Sequence, residues 1–219
     1  MKFNRHHAVG VSAESAAAAW ARQEGAPGGA VLRMDHEIAG RLRGGVPARP
    51  GPALAVVLRP MLAIDDEDRL WAAALVATMR LLDISNLLAG WPDVVGTGDS
   101  SSAFVTVTTQ TAMGRIEMAI VTCRTSGLIQ LPGAESFANE MLAASQQAVD
   151  DFDHVAQSYA AFSGLIGQRV VAALLPRGET RGTVTGLAAD GRLRLESTTG
   201  MTELLAAAAV RSVKVVADR

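Results

Sequence analysis

The residues of this sequence that could do chemistry lie mainly in one long segment, and they are arginines and a carboxylate. Residues 35–52 are rich in Gly, Arg and Pro, have no clear hydrophobic period and include Glu37, Arg41 and Arg43. Long loops inside compact domains are usually functional or mobile. This segment is therefore the first place to expect a ligand, although the arginines could also be solvated loop charges.

Several familiar reaction types lack their residues in this sequence. It has no Ser-His-Asp spacing, no Gly-Lys loop for phosphate and no paired-cysteine motif. Cys123 is the only cysteine, which excludes a disulfide within the chain and a zinc site of several thiolates. Asp93 and Asp99 could bind magnesium, but isolated turn aspartates usually cap a turn or face solvent, so we predict no metal site.

Composition narrows the class of protein further. The chain has 219 residues, 49% of them hydrophobic and 19% charged, which suits a folded protein with a sizeable core. The net charge of −2 argues against a nucleic-acid partner. No apolar stretch approaches the roughly 20 residues of a membrane span, and the first residues lack the apolar core of a signal peptide. We expect a soluble, cytoplasmic protein with no membrane partner.

The elements that must position the long segment are helices and strands in alternation. Ser12 can cap a first helix, and apolar residues at helical spacing predict a second. Alternating residues around a turn at 112–115 predict a β-hairpin. The predicted helices are 12–23, 67–82, 136–150 and 152–162, and the predicted strands are 30–34, 53–58, 104–110 and 116–123.

After residue 163, the predicted elements change from helices and longer strands to short strands alone. Five short strands are predicted at 169–175, 181–187, 193–196, 201–205 and 210–216. Asp190-Gly191 is a strong hairpin signal between two of them. Such short, closely spaced strands predict a small SH3-like β-barrel. We therefore predict an α+β protein with two domains, a mixed sheet flanked by helices in residues 1–163 and the barrel in residues 164–219.

Taken in order, several segments resemble the biotin protein ligases, a branch of the biotin/lipoate protein ligase superfamily. Residues 9–12 (VGVS) resemble the family's opening V-x-S-T-N motif, and residues 35–45 (DHEIAGRLRGG) resemble its D-x-Q-T-A-G-R-G-R-R-G loop. Residues 91–94 (WPDV) resemble K-W-P-N-D-V, and residues 165–170 resemble the start of its C-terminal module. The resemblance covers nearly the whole chain and implies the fold predicted above. Because the first motif begins at Val9, we expect no N-terminal winged helix of the kind found in the repressor-type ligases.

The resemblance also implies a reaction and a set of site residues. In the family, a carboxylate attacks the α-phosphate of ATP, and the acyl group then passes from the adenylate to a lysine of a target protein. Biotin or lipoate is the acid, and ATP and magnesium take part. The ligand-binding residues carried over by motif are Ser12, Glu37, Gly40, Arg41, Arg43, Trp91 and Asp93. Ser12 could equally be only a helix cap, and Trp91 only a core anchor.

Departures from the family motifs affect the chemistry more than the fold. Gly90 stands where the family has a lysine, and residues 98–104 lack the second one. Lys2 and Lys214 are the only lysines of the chain. Charge that builds on phosphoryl oxygens needs fixed cations, and losing one such group lowers the rate roughly a hundred- to a thousandfold. We therefore assign no catalytic residue. Glu37 replaces the family's glutamine, which removes two hydrogen-bond donors and adds charge.

Three hypotheses about function remain open at this point. The first is a non-catalytic relative that binds a small carboxylic acid, such as biotin or lipoate, or an acyl ligand. The second is an active biotin or lipoate protein ligase with an altered site, similar to a biotin–carboxyl-carrier-protein ligase; ATP and magnesium are expected as cofactors only in this case, and otherwise the cofactor is unknown. The third is a protein-interaction module with a protein partner.

Overall fold

The computed structural model describes residues 3–82, 88–96, 102–126 and 129–216, and its larger part is built on a seven-stranded sheet. The strand order is β1-β2-β3-β7-β6-β5-β4; β1 and β2 run parallel, and all other neighbours are antiparallel. The strands are β1 (Asn4–Gly10), β2 (Val31–Glu37), β3 (Gly51–Leu58), β4 (Leu88–Gly90), β5 (Val94–Gly96), β6 (Ser102–Ala112) and β7 (Arg115–Ser126).

Four helices cover the two faces of this sheet. On one face lies α1 (Ala13–Gln23), and on the other lie α2 (Glu67–Leu82), α3 (Ala134–Asp150) and α4 (Phe152–Phe162). α1 is rich in alanine, and the Ser12 hydroxyl caps it by accepting a hydrogen bond from the Ser15 N–H at 3.2 Å. Its buried face carries three alanines and Trp20.

The apolar run of β3 explains why both faces need a cover. Residues 53–58 are all buried, with alternate side chains in two separate hydrophobic clusters. Ala53, Ala55 and Val57 pack beneath α1, whereas Leu54, Val56 and Leu58 pack beneath the other helices. A strand with a continuous apolar sequence is expected in such a covered position.

The C-terminal part forms a second, five-stranded antiparallel sheet of order β11-β10-β9-β8-β12. The strands are β8 (Arg169–Leu174), β9 (Glu179–Leu187), β10 (Leu193–Glu196), β11 (Thr202–Leu205) and β12 (Val210–Val215). The structure thus confirms the α+β class, the mixed sheet flanked by helices and the small all-β C-terminal part. The boundary at residues 163 and 164 stays a prediction.

The structure corrects the extent of the long loop predicted at residues 35–52. β2 continues to Glu37 and β3 begins at Gly51, so the connecting loop is residues 38–50. We call it the arginine loop. The sequence analysis also missed β1, β4 and β5. β4 and β5 are three residues long, and β1 is a polar edge strand whose stability comes from pairing with β2.

Three further predictions concern membrane spans, Asp99 and the location in the cell. In the described part of the chain, no helix is long and apolar enough to cross a membrane. Asp99, considered above as a magnesium ligand, lies outside the described residues. The cytoplasmic location stays a prediction.

Candidate functional site: the groove beneath the arginine loop

Backbone hydrogen bonds hold the arginine loop over the α1 face of the sheet. Its first residues continue β2 alongside the end of β1, because the N–H groups of Ile38 and Ala39 donate to the carbonyls of Gly10 and Val11 at 2.9 and 2.8 Å. Further along, Leu42 N–H donates to the Val46 carbonyl at 2.7 Å, and two positive-φ glycines at 44 and 45 turn the chain. The loop therefore forms a small, ordered hairpin.

A buried ion pair lies directly beneath the start of this loop. The Arg124 guanidinium donates two hydrogen bonds to the Glu37 carboxylate, at 2.6 and 3.1 Å, and a third to the Thr106 hydroxyl at 3.1 Å. The Arg124 and Glu37 side chains are 5% and 2% exposed. The same carboxylate accepts from the Ala13 N–H at 2.7 Å, at the positive end of the α1 dipole. Glu37 thereby joins the sheet, the helix and the loop.

The strand between the two charged residues makes this pair sterically feasible. Glu37 is on β2 and Arg124 is on β7, with β3 between them. On β3, Gly51 is the register partner of Glu37, and Ala53 is the partner of Arg124. These small residues leave room for two long side chains to meet above β3. Gly40 closes the space, since a Cβ atom there would lie 2.0 Å from a Glu37 carboxylate oxygen.

Arg43 connects the arginine loop with both parts of the chain. Its Nε donates to the Asp93 carboxylate at 3.2 Å, and its two terminal nitrogens donate to the carbonyls of Ala207 and Arg211 at 3.1 and 2.9 Å. The Arg43 and Asp93 side chains are 8% and 13% exposed. Burial raises the pKa of the Asp93 carboxyl, and the guanidinium opposes that rise. Arg43 is thus engaged in protein contacts on each of its nitrogens.

Both backbone polar groups of Ala207 are hydrogen-bonded to side chains of the larger part of the chain, which fixes the C-terminal sheet next to the loop. Its carbonyl accepts from Arg43, and its N–H donates to the Asp68 carboxylate of α2 at 2.6 Å. Burial raises the pKa of Asp68 to about 6, although the Ala207 N–H and Arg192 favour its ionised form. Gly191 packs against the Asp68 backbone so closely that a Cβ there would lie 2.3 Å from it.

A cavity of about 260 Å³ remains open between the loop and the edge of β6. Its lining residues come from α1, the arginine loop, α2 and β6: Glu14, Arg41, Leu42, Arg43, Gly44, Gly45, Trp71, Thr106, Val107 and Thr108. Arg41 is exposed, and its one described hydrogen bond runs to the Gly45 carbonyl at 3.3 Å. Its guanidinium is therefore available to an anionic group in this cavity.

Most of the residues predicted to bind a ligand lie around the arginine loop, in three groups. Glu37 and Gly40 surround Arg124, and Ser12 immediately precedes the helix end that Glu37 contacts. Arg43 and Asp93 form an ion pair, and Arg41 lines the cavity with Arg43. Their role in ligand binding stays a prediction.

Trp91 lies apart from this groove. It is 2% exposed within the main core and meets Tyr159 edge-on, with ring centroids 6.0 Å apart. A tryptophan in this position packs the interior, which agrees with its interpretation as a core anchor.

The sequence analysis missed Arg124, Thr106 and Asp68 as members of the site. Arg124 directly follows the apolar run of β7, where one charged residue within a buried strand could have suggested a buried partner. The partner itself is 87 residues away, and only the strand register identifies it.

No group of three or more metal-ligating side chains occurs within residues 3–82, 88–96, 102–126 and 129–216. Cys123 is fully buried, and burial raises the pKa of its thiol to about 12, so a reactive thiolate is not formed there.

Comparisons with known proteins agree with this architecture. Residues 165–210 match the family described as Biotin protein ligase C terminal domain. A comparison with curated proteins by sequence finds no match. A structure of the biotin protein ligase from Aquifex aeolicus, in complex with biotin and ATP, covers 99% of this chain and 100% of its own at a TM-score of 0.71 and 13% identity.

Two further solved structures extend the comparison. The biotin acetyl coenzyme A carboxylase synthetase from Helicobacter pylori, with bound biotinylated ATP, covers 92% of this chain and 98% of its own at a TM-score of 0.61 and 13% identity. A biotin protein ligase-like protein of unknown function from Silicibacter covers 94% of each chain at a TM-score of 0.58 and 13% identity. At these identities, the similarity establishes the fold.

Proposed function

Since this chain has the fold of the biotin/lipoate protein ligase superfamily along its whole length, we propose that it is a non-catalytic relative that binds a small carboxylic acid. The ligand would occupy the cavity between the arginine loop and β6. The observation that carries the proposal is that the arginines of the site differ in their hydrogen bonding. Arg43 and Arg124 are in buried ion pairs, whereas Arg41 is exposed at the cavity and uses one of its five N–H donors in a described hydrogen bond.

The charge of the groove argues against adenylate formation. A nucleoside triphosphate needs several fixed cations around its phosphates during this reaction. Of the two lysines in the chain, Lys214 is an exposed residue of β12, and Lys2 lies outside the described residues. Gly90, at the position of the family's lysine, supplies no charge. One available guanidinium suits one carboxylate far better than a triphosphate.

The ion pair of Glu37 and Arg124 also changes the character of the groove. In place of an amide at position 37 there is a carboxylate, and its oxygens already accept three hydrogen bonds from Arg124 and Ala13. A ligand cannot use these groups without breaking a buried pair, which costs about 3–5 kcal/mol. We therefore expect the acid to be recognised at the cavity and not beneath Gly40.

Binding and catalysis can be tested on the same purified protein. Titration calorimetry with biotin, lipoate and short-chain carboxylic acids should detect at least one acid whose affinity falls about tenfold or more in Arg41→Gln, as expected for a charged hydrogen bond. Arg181→Gln, an exposed arginine of β9, is the matched control and should bind as the unchanged protein does. With ATP, magnesium and biotin or lipoate, no pyrophosphate should form above a heat-denatured control.

Two results would contradict the proposal. Binding of no acid in the series would remove the ligand-binding function. Release of pyrophosphate at the rate of ordinary ligases would instead establish an active ligase with an altered site.

A further inference from the structure

A carboxylate and a guanidinium face the same cavity without being paired to each other. Glu14, in the first turn of α1, and Arg41, on the arginine loop, both line it. No ion pair or hydrogen bond joins Glu14 to Arg41 or to another described side chain, although other charged pairs in the protein are within 4.0 Å. The lining of the cavity thus includes one negative and one positive side chain that are not paired with each other.

Glu14 is placed so that its negative charge is stabilised. It is half-buried in the first turn of α1, where the helix dipole favours an anion. The neighbouring carboxylate, Glu37, is neutralised by Arg124 and is engaged with the Ala13 N–H. Glu14 is therefore the carboxylate of the groove that is free to receive a cation.

The remaining lining provides hydrogen-bonding groups and an apolar surface. Thr106 and Thr108 contribute hydroxyls, and Trp71 and Val107 contribute apolar area. β5 pairs with β6 only as far as Phe104, and Val105 N–H donates outward to the Asp93 carbonyl at 2.8 Å. Because backbone direction alternates along a strand, Val107 presents its N–H and carbonyl to the same open edge.

We infer that this cavity selects carboxylic acids that also carry an amino group, with the ammonium at Glu14 and the carboxylate at Arg41. This inference rests on the proposed function and adds a ligand class to it. The cavity volume of about 260 Å³ lies below the roughly 300–1,000 Å³ of clefts for drug-sized ligands, which favours a molecule of amino-acid size. A simple fatty acid would leave Glu14 facing an apolar chain, which is unfavourable for a half-buried charge.

The test compares acids that differ only in the amino group. Leucine is titrated against 4-methylpentanoate and 6-aminohexanoate against hexanoate, so that an amino group near to the carboxylate and one distant from it are both sampled. In at least one pair, the amino acid should bind about tenfold or more tightly than its deaminated partner, the factor expected for one charged hydrogen bond.

Glu14→Gln is the decisive variant, because it keeps the shape of the side chain and removes only its charge. It should bring the amino acid down to the affinity of the deaminated acid and leave the latter unchanged or tighter. Glu117→Gln, an exposed glutamate of β7, is the matched control and should keep the preference.

The outcomes separate this inference from the proposed function. If the deaminated acids bind as tightly as the amino acids, or if Glu14→Gln keeps the preference, the inference is overturned while acid binding stands. If neither kind of acid binds, both fall together.

Discussion

Replacing Arg124 by methionine should destabilise the protein strongly, because it leaves the Glu37 carboxylate buried without its counter-charge. Glu37 is 2% exposed, and two of its described hydrogen bonds come from Arg124. Methionine has similar length and no polar atoms that need partners, so the change removes the charge with little loss of packing.

The structure sets the expected size of the effect. Removing one member of a buried ion pair typically costs about 3–5 kcal/mol. The Ala13 N–H continues to donate to Glu37, which places the expectation near the lower end of that range. At the lower end, about 3 kcal/mol, and with about 2–4 °C per kcal/mol for a chain of this length, Tm should fall by roughly 6–12 °C.

Chemical denaturation at pH 7, followed by circular dichroism, measures this loss directly. The matched control is Arg181→Met, since Arg181 is 67% exposed and forms a surface ion pair with Glu179 at 2.7 Å. Surface pairs contribute about 0–1 kcal/mol, so the control should stay close to the unchanged protein.

A double variant identifies the cause of the loss. Glu37→Leu combined with Arg124→Met removes both charges, and replacing a buried pair by apolar side chains is often neutral or stabilising. The double variant should therefore recover much of what Arg124→Met loses. If Arg124→Met unfolds within about 1 kcal/mol of its control, or if the double variant is no more stable than the single one, the account of this ion pair is wrong.

Three further changes test other contacts of the site. Gly40→Ala should lower the free energy of unfolding by about 1–3 kcal/mol through overpacking against Glu37, whereas Gly51→Ala, with open space around it, should not; equal effects in denaturation would contradict this. Burial raises the pKa of Asp68 from 3.8 to about 6, so the folded state binds more protons than the unfolded state between these two pH values. The free energy of unfolding should therefore fall as pH rises from about 4 to about 6. In denaturation at pH 4 and pH 7, Asp68→Asn should lose this dependence, and a retained slope would contradict the prediction. Arg43→Ala should speed hydrogen exchange across the arginine loop, because three hydrogen bonds from the loop disappear, and unchanged exchange would refute its role.

Elements with a strong local signal could be predicted from the sequence. α2 and α4 begin and end where their apolar spacing and caps indicate, and Asp190-Gly191 turns the chain between β9 and β10. Weakly patterned strands could not be predicted in this way. β1 is a polar edge strand, and its place depends on its parallel pairing with β2, which no local pattern reveals.

In the candidate site, too, some features could be predicted from the sequence and others depended on tertiary packing. The sequence pointed to the arginine loop and to Glu37 as an unusual carboxylate, but it could not distinguish the roles of Arg41 and Arg43. Arg43 donates hydrogen bonds to residues more than 160 positions away, whereas the one described hydrogen bond of Arg41 runs to Gly45 within its own loop. That difference depends on how the C-terminal sheet packs against the loop.

The sequence by itself determined which charges are present: few lysines, no lysine at position 90 and a glutamate at position 37. The tertiary structure decided which of those charges are neutralised and which remain available to a ligand. The reason is physical, since the energy of a charge depends on its burial and its neighbours, and the strand register that brings Arg124 to Glu37 is a property of the whole sheet.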